Sequence, residues 1–211
     1  MPKFFVLVGI IVIVVMVAFS SCITRTTIIT PTTTETAGST TTSAQLPNGL
    51  QLRVSANATS LTSGEALQVS VSEYNTLDKT NNVSAEKNWG VNGLSLGACP
   101  NINVQPFGVA IFQGRYTAQN VSQATPLRIY GPAACPMYIR LITGYAFLPH
   151  SIYAAVLPGG DLTTGTAMSA NITVNEIYTE GIQSHPLDPG LYTVVAGDEW
   201  GSLEFLYITI E

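Results

Sequence analysis

The stretch of this sequence that matches a catalytic motif is GLSLG at residues 93–97. It has the G-x-S-x-G spacing, in which a serine hydroxyl stands on a sharp turn between a strand and a helix. Asp161 and His185 follow in the chain order of a hydrolase triad. However, Pro100 and Pro106 come directly after the motif, and that segment cannot form the required helix. We therefore interpret the match as part of a Gly- and Ser-rich strand and expect no enzyme activity.

The cysteines allow two kinds of chemistry. Cys99 and Cys135 are the only cysteines after the N-terminal apolar segment, and two thiols in one exported domain usually pair. We therefore predict a disulfide between them. A Cys/His metal site is the alternative, but His150 and His185 are the only histidines and neither lies beside a cysteine.

Acidic residues near the C-terminus are the candidates for a cation site. Asp198 and Glu199 lie in the predicted last hairpin, and Asp188 lies near the turn before it. Their oxygens are of the type that Ca²⁺ prefers, but the closely spaced acidic loop of a calcium site is missing. The sequence predicts no metal, with these three residues as the only candidates.

Aromatic residues give the corresponding candidate for a sugar-binding face. Trp200 follows the acidic pair, and Tyr130, Tyr138 and Tyr145 lie in predicted strands. Aromatic residues in strands more often form cross-strand pairs or core contacts. A surface module that binds carbohydrate or a divalent cation is therefore our alternative to a purely structural role.

Four N-x-S/T sequons are spread along the chain. Their asparagines are Asn57, Asn82, Asn120 and Asn171, and no sequon has proline in its middle position. We predict these four residues as N-glycosylation sites, which requires each of them to lie on the surface.

An apolar run at residues 4–19 follows the single positive charge of Lys3. Extended through residue 23, it would form a helix of about 30 Å, which matches the hydrocarbon core of a bilayer. Three interpretations stay open: an uncleaved transmembrane anchor, a secretory signal cleaved after Ser20, and a lipoprotein signal with lipidation of Cys22. All three place the rest of the chain outside the cell, either attached to the membrane or secreted.

Residues 24–45 are dominated by hydroxyl side chains. Between residues 24 and 44, 13 of 21 residues are Ser or Thr. Such a segment has too few apolar residues to form a core. We therefore predict a disordered Thr-rich stalk, either O-glycosylated or a plain flexible linker, that separates the membrane segment from a domain at residues 46–211.

The charge argues against nucleic acid as a partner. Only 10% of residues are charged and the formal net charge is −5, whereas phosphate binding requires a basic surface. From residue 141 to the end there are eight acids and no Lys or Arg. This favours a soluble acidic surface, or association between an acidic and a weakly basic end of two copies.

Short runs of alternating apolar and polar residues, separated by turn sequences, continue from residue 50 to the end. This pattern predicts an all-β domain with antiparallel strands. The predicted strands are Leu50–Ala56, Ala66–Tyr74, Asn88–Leu96, Val109–Tyr116, Leu127–Tyr130, Met137–Phe147, Ile152–Leu157, Met168–Ile177, Leu191–Ala196 and Leu203–Ile210.

Two segments resemble immunoglobulin-like domains. In the first, Pro189-Gly190 forms a turn, and Tyr192 is placed to bond back to the turn backbone as in a tyrosine corner. The second, residues 63–71, resembles an early strand of such domains. The anchor, the stalk and the ending at residues 189–201 together resemble uncharacterised archaeal cell-surface proteins. The resemblance implies an immunoglobulin-like β-sandwich without the antibody-type disulfide, since no cysteine follows Tyr192 by two residues.

These observations together predict a non-catalytic, membrane-anchored extracellular β-sandwich glycoprotein. We expect a structural, adhesive or protein-interaction role at the cell envelope. The expected partners are the membrane, through residues 4–23, and other envelope proteins or glycans, and we expect no cofactor.

Overall fold

The computed structural model describes residues 34–36, 39–62, 65–86, 88–94, 96, 104–129, 141–174, 177–180 and 183–211. The predicted export segment at residues 4–23 lies outside these ranges. Within them, no helix is long and apolar enough to cross a membrane.

The described residues form an all-β structure with one short 3₁₀ turn at Val121–Gln123. In chain order the strands are β1 (Thr34–Thr36), β2 (Ser39–Gln45), β3 (Leu50–Ala56), β4 (Ser60–Leu61), β5 (Leu67–Asn75), β6 (Asn81–Ser84), β7 (Phe107–Gln113), β8 (Gly144–Phe147), β9 (Tyr153–Leu157), β10 (Thr166–Ala167), β11 (Ser169–Val174), β12 (Ile177–Glu180), β13 (Gln183–Pro186), β14 (Gly190–Asp198) and β15 (Leu203–Ile210).

Three sheets carry most of these strands. Sheet A has the order β1-β2-β3-β5-β11, sheet B the order β4-β15-β14-β7, and sheet C the order β10-β9-β8-β6. β12 and β13 form a separate two-stranded ladder. All described pairings are antiparallel except that of β4 with β15.

Alternation along the strands builds the core. In β3 every second residue is buried, beginning with Leu50 and ending with Ala56, while the residues between them are partly exposed. The inward residues of sheets A, B and C belong to one hydrophobic cluster, which includes Val69, Val194 and Phe147. A smaller cluster covers the other face of sheet B through Phe112 and Val195. Because both faces of sheet B are covered, β7 and β14 are buried almost throughout.

The Tyr192 bond predicted from the sequence is confirmed. The Tyr192 hydroxyl donates to the Asp188 carbonyl at 2.7 Å, across the turn that precedes β14. Tyr192 itself is buried, so this bond fixes the start of the strand against the core.

Sheet A begins earlier than we predicted. Ser39–Gln45 was assigned to the disordered segment 24–45, but it pairs along its length with β3. A turn at residues 46–49 joins the two strands, with Gly49 in the left-handed region at φ +83. β-branched threonine favours an extended strand once a partner strand is present, and amino-acid composition alone does not reveal that partner.

The predicted strand Asn88–Leu96 is not formed by its described residues. The chain turns at Asn92-Gly93 and has no ladder there. An Asn-Gly pair favours a tight turn, and here it outweighs the alternating pattern around it. In the predicted strand Leu127–Tyr130, the described residues 127–129 form a single bridge, between Leu127 and Ile111.

Other boundaries shift by a few residues. β7 begins two residues before the predicted start at Val109, and β15 matches its predicted bounds of Leu203–Ile210. The short strands β4, β6 and β10 had no counterpart in the prediction. Their length leaves too few residues to show a period.

Candidate functional sites

The four sequon asparagines all lie on the surface. The side chains of Asn57, Asn82, Asn120 and Asn171 are exposed, and they are distributed over sheets A, B and C. Asn82 is in β6 of sheet C and Asn171 is in β11 of sheet A. Asn120 precedes the 3₁₀ turn over the outer face of sheet B.

Asn57 differs from the other three in its hydrogen bonds. Its Nδ2 donates to the Ala66 carbonyl at 3.1 Å, and its Oδ1 accepts from the Gln68 amide at 2.8 Å. The side chain therefore continues the ladder between β3 and β5 beyond the last paired residues. Its amide nitrogen is engaged in the fold.

Among the described residues, Asn120 and Asn171 form side-chain hydrogen bonds only through their oxygens. Asn120 Oδ1 accepts from the Thr117 amide at 2.7 Å, and Asn171 Oδ1 accepts from the Ser70 hydroxyl at 2.5 Å. Within the described part of the chain, neither amide nitrogen donates a hydrogen bond. Both nitrogens therefore remain accessible for glycan attachment.

The candidate cation ligands do not converge. Asp188 is exposed before β14, whereas Asp198 is the last residue of that strand and is fully buried. Eight steps at about 3.3 Å per residue place the two ends of β14 about 26 Å apart. Among the described residues, no group of three or more His, Cys, Asp or Glu side chains could hold a metal ion.

Asp198 and Glu199 instead organise the hairpin between β14 and β15. Asp198 Oδ1 accepts from the amides of Trp200 and Ser202, both at 2.9 Å. The Glu199 amide donates to the Pro106 carbonyl, which ties the hairpin to the start of β7. Burial raises the pKa of Asp198, and the hydrogen bonds from Ser202 and Trp200 partly offset that rise.

Two further carboxyls are buried in strands, and the sequence analysis did not single them out. Glu73 of β5 is fully buried, and burial followed by the charge of Asp198 raises its pKa well above the ordinary value. Glu204 of β15 is also buried, which raises its pKa to about 7 although the nearby Thr42 hydroxyl acts to lower it. Both carboxyls could have been found from the sequence by counting every second residue one position further along β5 and β15. Glu73 and Glu204 lie on the same inward face as the apolar residues of their strands.

The two described aromatic candidates for a sugar face, Trp200 and Tyr145, pack in or against the core. Trp200 donates from Nε1 to the Ser84 carbonyl at 2.8 Å. Its ring stands edge-on to Tyr145 at 5.8 Å and to Phe147 at 6.4 Å between centroids. Since Tyr145 is buried, it cannot stack on a sugar. Tyr130 and Tyr138 lie outside the described residues.

The described residues of the candidate triad and the histidines lie in exposed loops or in a strand. Asp161 is exposed and accepts from both the amide and the hydroxyl of Thr163, which holds its carboxyl in a loop and lowers its pKa. His150 lies in an exposed loop, with Nε2 2.5 Å from Asp78 Oδ1. His185 is in β13, opposite Tyr178.

Several predicted site residues lie outside the described part of the chain. They are Ser95 of the G-x-S-x-G motif, the predicted disulfide pair Cys99 and Cys135, and the possible lipidation site Cys22.

Comparisons with known proteins give no family. No protein-family model matches the sequence, and no curated protein matches it. Among solved structures, a mutant β-glucosidase from Listeria innocua in complex with laminaribiose aligns with 77% of this chain, at 11% identity and a TM-score of 0.37. The complex of that organism's β-glucosidase with isofagomine aligns with 82% of this chain, at 11% identity and a TM-score of 0.34. This chain covers 16% of each of those chains.

Proposed function

We propose that this chain is a non-catalytic glycoprotein displayed outside the cell, with a structural, adhesive or protein-interaction role at the envelope. The observation that carries the proposal is the exposure of all four sequon asparagines. A glycan can be attached only to an exposed asparagine, and all four of these residues meet that requirement. Glycans at these positions require an export route, and the apolar residues 4–23 supply one as an anchor or signal.

The proposed fold is an immunoglobulin-like β-sandwich. Antiparallel sheets share one core, and the Tyr192 hydroxyl bonds to the backbone at Asp188, four residues upstream. Both features are typical of such sandwiches. Domains of this architecture commonly serve in cell-surface assemblies, which agrees with an adhesive or interaction role.

The experiment that tests export and glycosylation is mass spectrometry of the protein from its native membranes. We expect an intact mass above that of the bare chain, with glycan on peptides that contain Asn82, Asn120 or Asn171. The matched controls are three Asn→Gln variants at these positions, each of which should lose one glycan mass. A bare chain recovered from the soluble cell fraction would overturn the proposal.

The same preparation gives the fate of the N-terminus and of the cysteines. A chain retaining residues 4–23 would be an uncleaved anchor, and a chain starting at Cys22 with added lipid would be a lipoprotein. A mass increase of two hydrogens on reduction would establish the predicted disulfide between Cys99 and Cys135.

A ligand screen separates the structural role from a binding module. We expect no thermal shift of the purified protein with Ca²⁺, Cu²⁺ or a panel of oligosaccharides at neutral pH. A saturable rise in melting temperature with one of them would contradict the purely structural role, since a ligand that binds the folded state stabilises it.

A further inference from the structure

The tripeptide Asn-Gly-Leu occurs twice in this chain, at residues 48–50 and at residues 92–94. Asparagine followed by glycine is prone to lose its side-chain amide, because glycine has no Cβ to shield its backbone nitrogen from the preceding side chain. The two copies have the same three residues. A difference in their reactivity would therefore come from the fold.

The two glycines have the same backbone conformation. Gly49 has φ +83 and Gly93 has φ +84, both in the left-handed region. Both are also closely packed, since an added Cβ would lie 2.6 Å from Leu77 Cγ at the first glycine and 2.4 Å from Pro126 Cγ at the second. Neither the conformation nor the packing of the glycine distinguishes the two turns.

Hydrogen bonds hold the first copy in place. The Gly49 amide donates to the Leu46 carbonyl at 3.0 Å, and Asn48 Oδ1 accepts from the Leu50 amide at 3.1 Å. Asn81 Nδ2 donates to the Asn48 carbonyl at 2.9 Å. Gly49 is also buried. The glycine nitrogen and the asparagine side chain of this pair are therefore both engaged in the fold.

The second copy lacks these bonds. Among the described residues, the Gly93 amide donates no hydrogen bond, and the Asn92 side chain forms none. Both residues are exposed. The Gly93 nitrogen can therefore approach the Asn92 side chain without breaking a bond of the described structure, and water reaches both groups.

We propose that Asn92 is a site of spontaneous deamidation in the folded protein and that the fold protects Asn48. In the first step the Gly93 nitrogen loses its proton and attacks Cγ of Asn92. A carbon–nitrogen bond forms, and the bond between Cγ and Nδ2 breaks. Nδ2 leaves as ammonia, which carries the proton that the glycine nitrogen lost. The product is a five-membered succinimide ring that joins the two residues.

Water opens the succinimide in two ways. Addition at the side-chain carbonyl gives aspartate with an unchanged main chain. Addition at the main-chain carbonyl gives isoaspartate, in which the chain continues through Cβ and Cγ. The overall reaction consumes one water, releases one ammonia and adds one negative charge, so it requires no reactant besides water.

Isoaspartate would add a backbone atom to a turn that is anchored on both sides. Val91 is buried in the smaller hydrophobic cluster on sheet B, and Leu94 packs against the same cluster. Gly93 is packed against Pro126. The additional atom therefore displaces at least one packed neighbour, whereas aspartate at position 92 leaves the backbone unchanged.

The test is incubation of the full-length protein at 37 °C and pH 7.4, followed by peptide mapping with mass spectrometry. We expect conversion of amide to acid at Asn92 to be at least about tenfold faster than at Asn48, because reaction at Asn48 must first break hydrogen bonds. The rate at Asn92 should rise with pH, since the attacking nitrogen must lose its proton. Equal rates at the two sites, or a faster reaction at Asn48, would overturn the proposal.

The same incubation in concentrated urea is the matched control. Once the fold is removed, the two Asn-Gly-Leu segments should react at similar rates, and Asn48 should react faster than it does in the folded protein. If Asn48 stays as slow in urea as in the folded state, the fold does not protect it and the proposal is wrong.

Two variants separate the chemistry from its structural effect. Aged wild-type protein should gain an acidic form on ion-exchange chromatography, and Asn92→Gln should prevent this, because glutamine would have to form a larger ring. An acidic form that appears equally fast in Asn92→Gln contradicts the assignment to this residue. Protein with isoaspartate at position 92 should melt about 2–4 °C below fresh protein, whereas Asn92→Asp, which has the charge without the additional backbone atom, should melt within about 1 °C of it.

Discussion

The Glu204 side chain shows how one buried acid makes folding depend on pH. Its pKa is about 7 in the folded protein, against an ordinary value of 4.5. The folded state therefore binds a proton that the unfolded chain releases between these values. Stability is full below about pH 4.5 and falls as the pH rises to about 7.

We expect Glu204→Gln to raise the melting temperature at pH 8 by about 2–4 °C and to have little effect at pH 4. Glutamine keeps the shape of the side chain and a polar group near Thr42 but cannot ionise. Differential scanning calorimetry at the two pH values measures the effect. An equal shift at both would show that the effect is one of packing.

The Tyr192 hydroxyl provides a second residue-scale prediction. Tyr192→Phe removes its bond to the Asp188 carbonyl and leaves the buried ring in place. The loss should lower the free energy of unfolding by about 0.5–1.5 kcal/mol in denaturant titration. Tyr153→Phe is the control, since Tyr153 is 46% exposed and should change stability by much less.

Asn57 should carry less glycan than the other sequons. Both polar atoms of its side-chain amide are used in the fold, with Ala66 and Gln68. A glycan on Nδ2 competes with this arrangement, whereas Asn82, Asn120 and Asn171 have accessible nitrogens. Quantitative glycopeptide mapping should give the lowest occupancy at Asn57, and full occupancy there would contradict the prediction.

At the scale of elements, the turn between β2 and β3 depends on Gly49. Its φ is +83, and a Cβ there would lie 2.6 Å from Leu77 Cγ. Gly49→Ala should therefore cost about 1–3 kcal/mol in the free energy of unfolding, from backbone strain together with the clash. Gly159→Ala separates the two causes, because Gly159 has φ +90 with nothing within 4 Å. The Gly49 variant should be the less stable of the two by urea titration.

Strands with a clear period were predictable from the sequence, and strands that depend on a partner were not. β3 and β15 were found within their bounds because alternation runs through seven and eight residues. β2 was missed because a Thr-rich segment has no apolar alternation, and only its pairing with β3 makes it a strand. The buried carboxyls were missed for a related reason, since tertiary packing decides how an inward acid is tolerated.

At the scale of the whole molecule, exposed sheet edges are a route to self-association. In the described part of sheet A, β11 is an edge strand, and Asn171 lies within it. A glycan at this position would keep another chain from pairing there. We therefore expect the glycosylated protein to remain monomeric at concentrations where Asn171→Gln self-associates.

Light scattering after size-exclusion chromatography measures this difference. Asn120→Gln is the control, because Asn120 precedes a 3₁₀ turn and is not part of a strand. Its loss of glycan should leave the molecular mass in solution at the monomer value. Equal behaviour of the two variants would show that β11 is not the surface concerned.

The hairpin strands at the start of sheet A determine how the domain responds to force. β1 pairs with β2 with Thr36 opposite Ser39, and β2 pairs with β3 with Thr40 opposite Ala56. Tension applied through the preceding chain would therefore peel the pairs one at a time, β1 first and then β2 from the end away from its turn with β3. These strands contain three and seven residues. At about 3.3 Å per residue, they would release about 33 Å of chain under load before the rest of the sheet is pulled.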